Sequence, residues 1–173
     1  PQAAVDEMRE DWLKKYDIVR EVVAGGEQRQ DSVYNGFNSL ENGTDIVVVH
    51  DGVRPFTTSK MITATVEEAE KHGAAIAAIP VSDTIKHVVD SFVKETISRV
   101  GLWRVQTPQA FDYKLLEQAF KKAKKDSYYG TDEGALIEYL GAQVKIVQGS
   151  ELNIKITRKE DLVLAESLLS SIK

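Results

Sequence analysis

Asp51 and Arg54 form the pair of side chains in this sequence with the most chemistry to offer. They follow Ile46-Val47-Val48-Val49, four β-branched apolar residues without alternation, and they precede Pro55. A run of that kind reads as a strand buried on both faces, as in a parallel sheet covered by helices. His50-Asp51 ends the run, and Gly52 and Pro55 then force a turn. In open α/β sheets, ligands bind at the carboxyl ends of strands. A carboxylate there can hold Mg²⁺ together with substrate phosphates, and a guanidinium can grip a phosphate through two hydrogen bonds. A structural Asp-Arg pair closing the turn is an equal reading of the same two residues.

Further segments offer anion-binding groups. Gly25-Gly26-Glu27-Gln28-Arg29-Gln30-Asp31-Ser32 places glycines before a helix start, with Arg29 and Ser32 about one turn apart. Taken alone, it reads as an ordinary loop with Ser32 as a capping residue. Thr84 and Lys86, in Asp83-Thr84-Ile85-Lys86, offer a hydroxyl and a charge, or simply the polar face of a hairpin. Thr107-Pro108-Gln109 is expected at a strand end, in a rigid turn. Thr131-Asp132-Glu133 is foremost a helix start, where threonine and acids belong for structural reasons. Lys155 lies between Ile154 and Ile156 in an extended stretch, so it points away from both. A functional role is the favoured reading there. No Ser-His-Asp or Cys-His arrangement stands out. Hydroxyls, Arg and Lys around one metal-competent Asp suit holding phosphates better than acid-base work.

Composition narrows the classes. A chain of 173 residues with 42% hydrophobic and 28% charged content is an ordinary globular domain. A net charge of −5 argues against nucleic acid as a partner, and Lys121-Lys122-Ala123-Lys124-Lys125 reads as a solvated helix C-terminus. There is no cysteine, and His50, His72 and His87 lack metal-motif spacing. No apolar stretch reaches the roughly 18 residues that span a membrane, and no signal peptide is visible, so the expected location is cytoplasmic. The sequence opens at Pro1 without a methionine, as a processed or partial chain would.

The elements that must position these groups follow from periodicity. Residues 5–16 read as a helix, 18–24 as a strand ended by Gly25-Gly26, and 28–40 as a helix with Val33, Phe37 and Leu40 on one face. After the 46–49 strand, Thr58 or Ser59 caps a helix to Lys71, and the 74–81 run is another buried strand. Residues 84–89 and 93–98 alternate and are joined through Asp90-Ser91-Phe92, which predicts a hairpin. Such a ribbon is marginal alone, so it is expected to pack on something, with a second copy of the chain as the candidate. A strand over 102–105, helices begun by Asp112 and by Thr131 or Asp132, and a strand over 144–147 follow. Thr157 is expected as N-cap of a final helix, with Glu160 completing a capping box and Leu162, Ala165 and Leu169 facing inward. Strands alternating with helices predict an α/β fold with a mostly parallel sheet.

Six motifs, in order, resemble those of 2-C-methyl-D-erythritol 4-phosphate cytidylyltransferases: 25–33, 49–55, 80–86, Leu102-Trp103-Arg104-Val105-Gln106-Thr107-Pro108-Gln109-Ala110-Phe111, 131–133 and 153–157. The resemblance covers essentially the whole chain. It implies a Rossmann-like, three-layer nucleotidyltransferase domain over 1–173 with an inserted β-hairpin dimerisation arm at about 83–101. It implies transfer of CMP from CTP to 2-C-methyl-D-erythritol 4-phosphate, with release of pyrophosphate. By that resemblance Arg29, Ser32, Asp51 and Gly52 serve CTP, with Asp51 near Mg²⁺. Arg54, Thr84, Thr107 and Thr131 serve the sugar phosphate, and Lys155 bridges the reacting phosphates. Arg99 reaches the neighbouring subunit's site in a homodimer. Family members open with a strand and a Gly-rich loop carrying an arginine and a lysine, neither of which precedes Pro1 here. The domain is therefore expected to be N-terminally incomplete, and this piece alone is expected not to turn over CTP. Ribitol-5-phosphate cytidylyltransferases share His-Asp-x-x-Arg-Pro-Phe and Gln-Thr-Pro-Gln, but Leu102-Trp103 and Asp83-Thr84-Ile85-Lys86 favour the methylerythritol enzyme. A non-catalytic dimerising remnant of the fold is the alternative from another class.

Overall fold

The structure is a computed structural model, and it describes residues 2–41 and 43–171. Its centre is a four-stranded sheet in the order β1-β5-β2-β6, with β1 at Ile46–Val49, β2 at Ala74–Pro80, β5 at Trp103–Asp112 and β6 at Lys145–Gln148. Strands β1, β2 and β6 share a direction, and β5 runs against them between β1 and β2. Among the described residues only the β2–β6 pair of this sheet is parallel, so the mostly parallel sheet expected from the apolar runs is instead a mixed one. The reason is physical: a continuous apolar run records burial on both faces and carries no information about the neighbour's direction.

Period-2 alternation divides the strands between two cores. Val47, Ala74, Ile76 and Phe111 face one layer, where they meet Phe37 of α2 (Arg29–Phe37), Leu116, Ala119 and Phe120 of α4 (Tyr113–Lys125), and Leu136 and Ile137 of α5 (Glu133–Leu140). Ile46, Ala75 and Ala110 face the other, against Val66 and Ala69 of α3 (Ser59–His72). The three-layer arrangement is thus built from strict side-chain alternation on β1, β2 and β5. Thr58 caps α3 by accepting from Met61 N–H, and Gly73 ends it in the left-handed region. Asp112 and Asp132 cap α4 and α5 in the same way.

The hairpin forms as expected, with β3 at Ile85–Val89 and β4 at Phe92–Ile97. Its turn is tighter than the sequence pattern indicates: Asp90 and Ser91 both take positive φ, and Phe92 already belongs to β4. It forms a separate two-stranded sheet on which Phe92 is 79% exposed.

Four local expectations are corrected. Residues 18–24 form no strand: among the described residues they have no ladder partner, and Ile18 is exposed. A β-rich composition cannot make a strand without a neighbour to bond. Thr107-Pro108 does not end a strand, because β5 continues through it to Asp112. Three residues of β5, 106–108, oppose Ala77 alone on β2, and the Thr107-Pro108 peptide is cis. Before α6 (Lys159–Ser171), it is Asp161, not Glu160, that reaches back, accepting from Thr157 N–H, Arg158 N–H and the Thr157 hydroxyl. Finally, Ala165 of α6 is buried, but Leu162 and Leu169 are about half exposed. Helix α1 (Gln2–Lys15) is present, although Met8, Trp12 and Leu13 remain well exposed.

Gly149 ties this frame to the loops that follow it. Its N–H donates to Ala78 O, and a Cβ there would stand 2.3 Å from Gln106 Oε1 and 3.1 Å from Ala78 O. Gly149→Ala is therefore expected to destabilise the fold by about 1–3 kcal/mol, read as a lower urea midpoint. An unchanged midpoint would show that the Gln106 amide can move aside freely.

Candidate active site

The apolar run of β1 delivers Asp51 to the carboxyl edge of the sheet, where the bulged part of β5 meets it. Asp51 N–H donates to Thr107 Oγ1 at 3.0 Å, which fixes the turn against the bulge. Three cations from three separate segments then converge on one carboxylate. Lys155 Nζ is 3.1 Å from Asp51 Oδ2, Arg54 Nε is 3.4 Å from the same oxygen, and Arg29 NH2 is 3.5 Å from Oδ1. Arg54 is anchored further by donating to Asn153 O at 2.8 Å. Asn153 is fully buried and donates to Thr107 O at 2.9 Å, so the loop bearing Lys155 is clamped to the bulge of β5. Gln106 joins the clamp, donating to Ser150 O and accepting from Ser150 N–H.

Arg29 has a second and closer partner. Its NH1 donates to both carboxylate oxygens of Glu133, at 2.8 and 2.9 Å, and the Glu133 side chain is only 1% exposed. Burial raises the Glu133 carboxyl above its ordinary range, with the Arg29 charge opposing that shift. Burial works against the charge on Arg29 as well, yet Glu133 and Asp51 together hold that guanidinium more firmly protonated than usual. Burial also disfavours the Asp51 anion, but the Lys155 hydrogen bond and the charges of Lys155, Arg29 and Arg54 outweigh it and lower its pKa.

These groups wall a cleft of about 210 Å³ lined by Arg29, Asp51, Arg54, Thr107, Thr131 and Lys155, with Gln106, Gln109 and Asp132 beside them. Six of the residues singled out from sequence thus come together. Ser32 does not line the cleft; its hydroxyl accepts from Gly26 N–H at 3.0 Å and donates to Gln28 O at 3.1 Å, shaping the loop before α2. Gly52 is exposed beside Asp51 and does not line the cleft. Thr84 and Arg99 belong to the hairpin region, both exposed, with Arg99 donating to Ser82 O. Glu133, Asn153, Gln106 and Gln109 also belong to the site, and none of them stands out in the sequence as an individual residue. Two amides flanking Thr107-Pro108 just before Ala110-Phe111 were the available signal for the last two, since buried polar groups must be paired.

The arrangement offers three cationic side chains to anionic oxygens entering the cleft. Comparison with known proteins identifies the family. The family model for 2-C-methyl-D-erythritol 4-phosphate cytidylyltransferase (IspD) matches residues 4–171. The protein of that name from Syntrophus aciditrophicus is 47% identical over 165 residues, covering 94% of this chain and 70% of the relative.

This chain belongs to that family.

The Clostridioides difficile cytidylyltransferase is 46% identical, over 97% of this chain and 71% of its own. Among solved structures, the 4-diphosphocytidyl-2C-methyl-D-erythritol synthase of Anaerococcus prevotii matches with a TM-score of 0.87 at 34% identity, covering 96% of this chain and 78% of that one. The cytidylyltransferase from Thermus thermophilus matches with a TM-score of 0.79 at 34% identity, covering 84% and 71%. The family's α/β fold with a mixed sheet is therefore the fold of this chain.

Because the native Asp51 carboxyl titrates below the roughly 3.9 of a free aspartate, its stabilising contribution is fully present above that pH. It is lost as pH falls through the lower native value. Asp51→Asn leaves Lys155 and Arg54 without their shared counter-charge, while Arg29 keeps only Glu133. The stability gap between parent and variant is expected to be widest near neutral pH and to close in acid, in urea unfolding followed at a series of pH values. A gap independent of pH would show that Asp51 is not a charged hub.

Proposed function

We propose that this site transfers CMP from CTP to 2-C-methyl-D-erythritol 4-phosphate and releases pyrophosphate, in isoprenoid precursor biosynthesis. The observation that carries the reading is the convergence of Arg29, Arg54 and Lys155 on Asp51 at the strand end, in a chain close to half identical to relatives of that name. A phosphate oxygen of the sugar phosphate attacks the α-phosphorus of CTP. One P–O bond forms, the bond to the β-phosphate oxygen breaks, and the electron pair leaves with pyrophosphate. The nucleophile is already an anion, so no general base is needed, and the barrier lies in bringing anions together.

Each side chain then has a task. Lys155 sits between the reacting phosphates and offsets the charge that builds on them. Arg29, Ser32 and Gly52 serve the nucleotide, with Arg29 held in place by the buried Glu133 carboxylate. Arg54, Thr84, Thr107 and Thr131 serve the sugar phosphate. Asp51 fits a role as the protein's ligand to Mg²⁺, whose protein partners are usually one or two carboxylates with substrate phosphates completing the shell. When bound, the ion supplies neutralisation of phosphate charge.

A homodimer through the hairpin belongs to the same proposal. Val89, Phe92, Val93 and Val100 are exposed on or beside a ribbon that has no core of its own, and apolar surface of that kind favours a second copy of the chain. Arg99 would then serve the partner's site. Phe92→Asp is expected to convert a dimer into a monomer in sedimentation velocity; a parent chain that is already monomeric would remove this part of the reading.

The two arginines and the lysine near Asp51 are each tied to a carboxylate, leaving little positive charge to spare for a triphosphate. We therefore propose that the 173-residue chain binds the sugar phosphate but does not turn over CTP alone. A chimera adding the part of the Syntrophus aciditrophicus relative that this chain does not match is expected to release pyrophosphate with methylerythritol phosphate as acceptor. It should not do so with ribitol 5-phosphate, and Lys155→Ala should lower its kcat about 100-fold. Equal turnover with ribitol 5-phosphate would redirect the substrate assignment, and normal turnover by the 173-residue chain would refute the need for further residues.

A further inference from the structure

His50 has no part in the proposed transfer, yet its hydrogen bonds decide where a proton sits at the wall of the cleft. The ring Nδ1 is 2.9 Å from Thr107 Oγ1, and Nε2 is 3.1 Å from the carbonyl oxygen of Arg54. A carbonyl oxygen has no proton to give, so the second contact is a hydrogen bond only if Nε2 carries the ring proton. In the neutral ring Nδ1 is then an acceptor, and the Thr107 hydroxyl must donate to it. The same hydroxyl oxygen accepts from Asp51 N–H at 3.0 Å. The bonds therefore form one directed chain: Asp51 N–H to Thr107, Thr107 O–H to His50, and His50 Nε2–H to Arg54 O. The opposite tautomer would set a nitrogen lone pair against the Arg54 carbonyl at 3.1 Å, which is repulsive.

We infer that His50 is a positioning residue that makes Thr107 an acceptor-only contact, so that Thr107 recognises a hydroxyl of the polyol chain and not the phosphate. This rests on the sugar-phosphate reading above. Thr107 is 4% exposed and lines the cleft, so its hydroxyl has little freedom to rotate away from these partners. Its proton is committed to His50 and one lone pair to Asp51. What it can offer a ligand is the remaining lone pair. A substrate hydroxyl can donate to that lone pair; an ionised phosphate oxygen, which has no proton, can only be repelled by it. The same ring holds the backbone of Arg54, whose guanidinium is a natural phosphate ligand. One imidazole thus sets a hydroxyl-reading group and a phosphate-reading group at a fixed spacing, which is how a site separates a polyol phosphate from phosphate alone.

The tautomer is measurable on the unmodified protein, through long-range ¹⁵N–¹H correlations of the imidazole ring, with the His50 signals assigned by their loss in His50→Phe. The Nε2–H pattern is expected, and the Nδ1–H pattern overturns the inference. Binding supplies the second readout, by calorimetry with 2-C-methyl-D-erythritol 4-phosphate and with inorganic phosphate as probes. Thr107→Val, nearly the same shape without the hydroxyl, should weaken the sugar phosphate about tenfold and leave inorganic phosphate unchanged. Thr107→Ser should restore sugar-phosphate affinity. Equal weakening of both probes by Thr107→Val would overturn the inference, because Thr107 would then support phosphate binding itself and not the reading of a hydroxyl. If the parent chain binds no sugar phosphate, the substrate reading fails, and the tautomer measurement still decides the role of His50.

Discussion

Charge balance at the Asp51 carboxylate is the constraint on which the rest of the site depends. Three cations carried by α2, by the turn after β1 and by the loop before α6 would repel one another if nothing stood between them. Asp51 lies within 3.1 to 3.5 Å of all three. It is mostly buried but not dry, so these attractions are stronger than at an exposed surface and weaker than in a closed interior. A hub of that kind can exchange partners: phosphate oxygens entering the cleft can take over the cations, and a divalent ion can take over the carboxylate. The buried Glu133 pair does the opposite work. It holds the Arg29 guanidinium by two short bonds, so that α2 presents a fixed group.

The fold makes this possible through an irregularity in its central strand. β5 carries three residues where β2 carries one, and there Thr107 meets the turn after β1 while Gln106 meets the 150–153 loop. Gln106 and Asn153 then bond each other's segments, so the strand and the Lys155 loop move as one body. A β-bulge beside a binding site is a common way to re-aim a side chain, and here it aims a hydroxyl and an amide together.

Much of this was legible from residue types. The strand ending in His50-Asp51, the helix starts near Thr58, Asp112 and Asp132, and the hairpin were read from pattern, because each depends on local chemistry. Burial of the 46–49 run on both faces does not hold, since among the described residues β1 lies at a sheet edge with Val48 39% exposed. The convergence of Arg29, Arg54 and Lys155 followed from the resemblance and from strand ends. What could not be read was anything set by a partner strand. The antiparallel placement of β5, its continuation through Pro108, and the lack of a strand over 18–24 all depend on which neighbours are available. Glu133 illustrates the same limit at the level of one side chain. In sequence it is an acid in the first turn of a helix, which is ordinary; only the fold brings Arg29 onto it across 104 residues. Leu162 and Leu169 have helical spacing, but spacing alone does not supply the surface that would bury them.

The position of a bound polyol phosphate relative to Asp51 decides whether this carboxylate is the hub of the site. A crystal structure with 2-C-methyl-D-erythritol 4-phosphate bound measures that position. The expected result is a phosphate held by Arg54 and Lys155 beside Asp51, with the Lys155–Asp51 contact lengthened and the Arg29–Glu133 pair unchanged. A phosphate bound away from this carboxylate, with all three cations still on Asp51, would contradict the account.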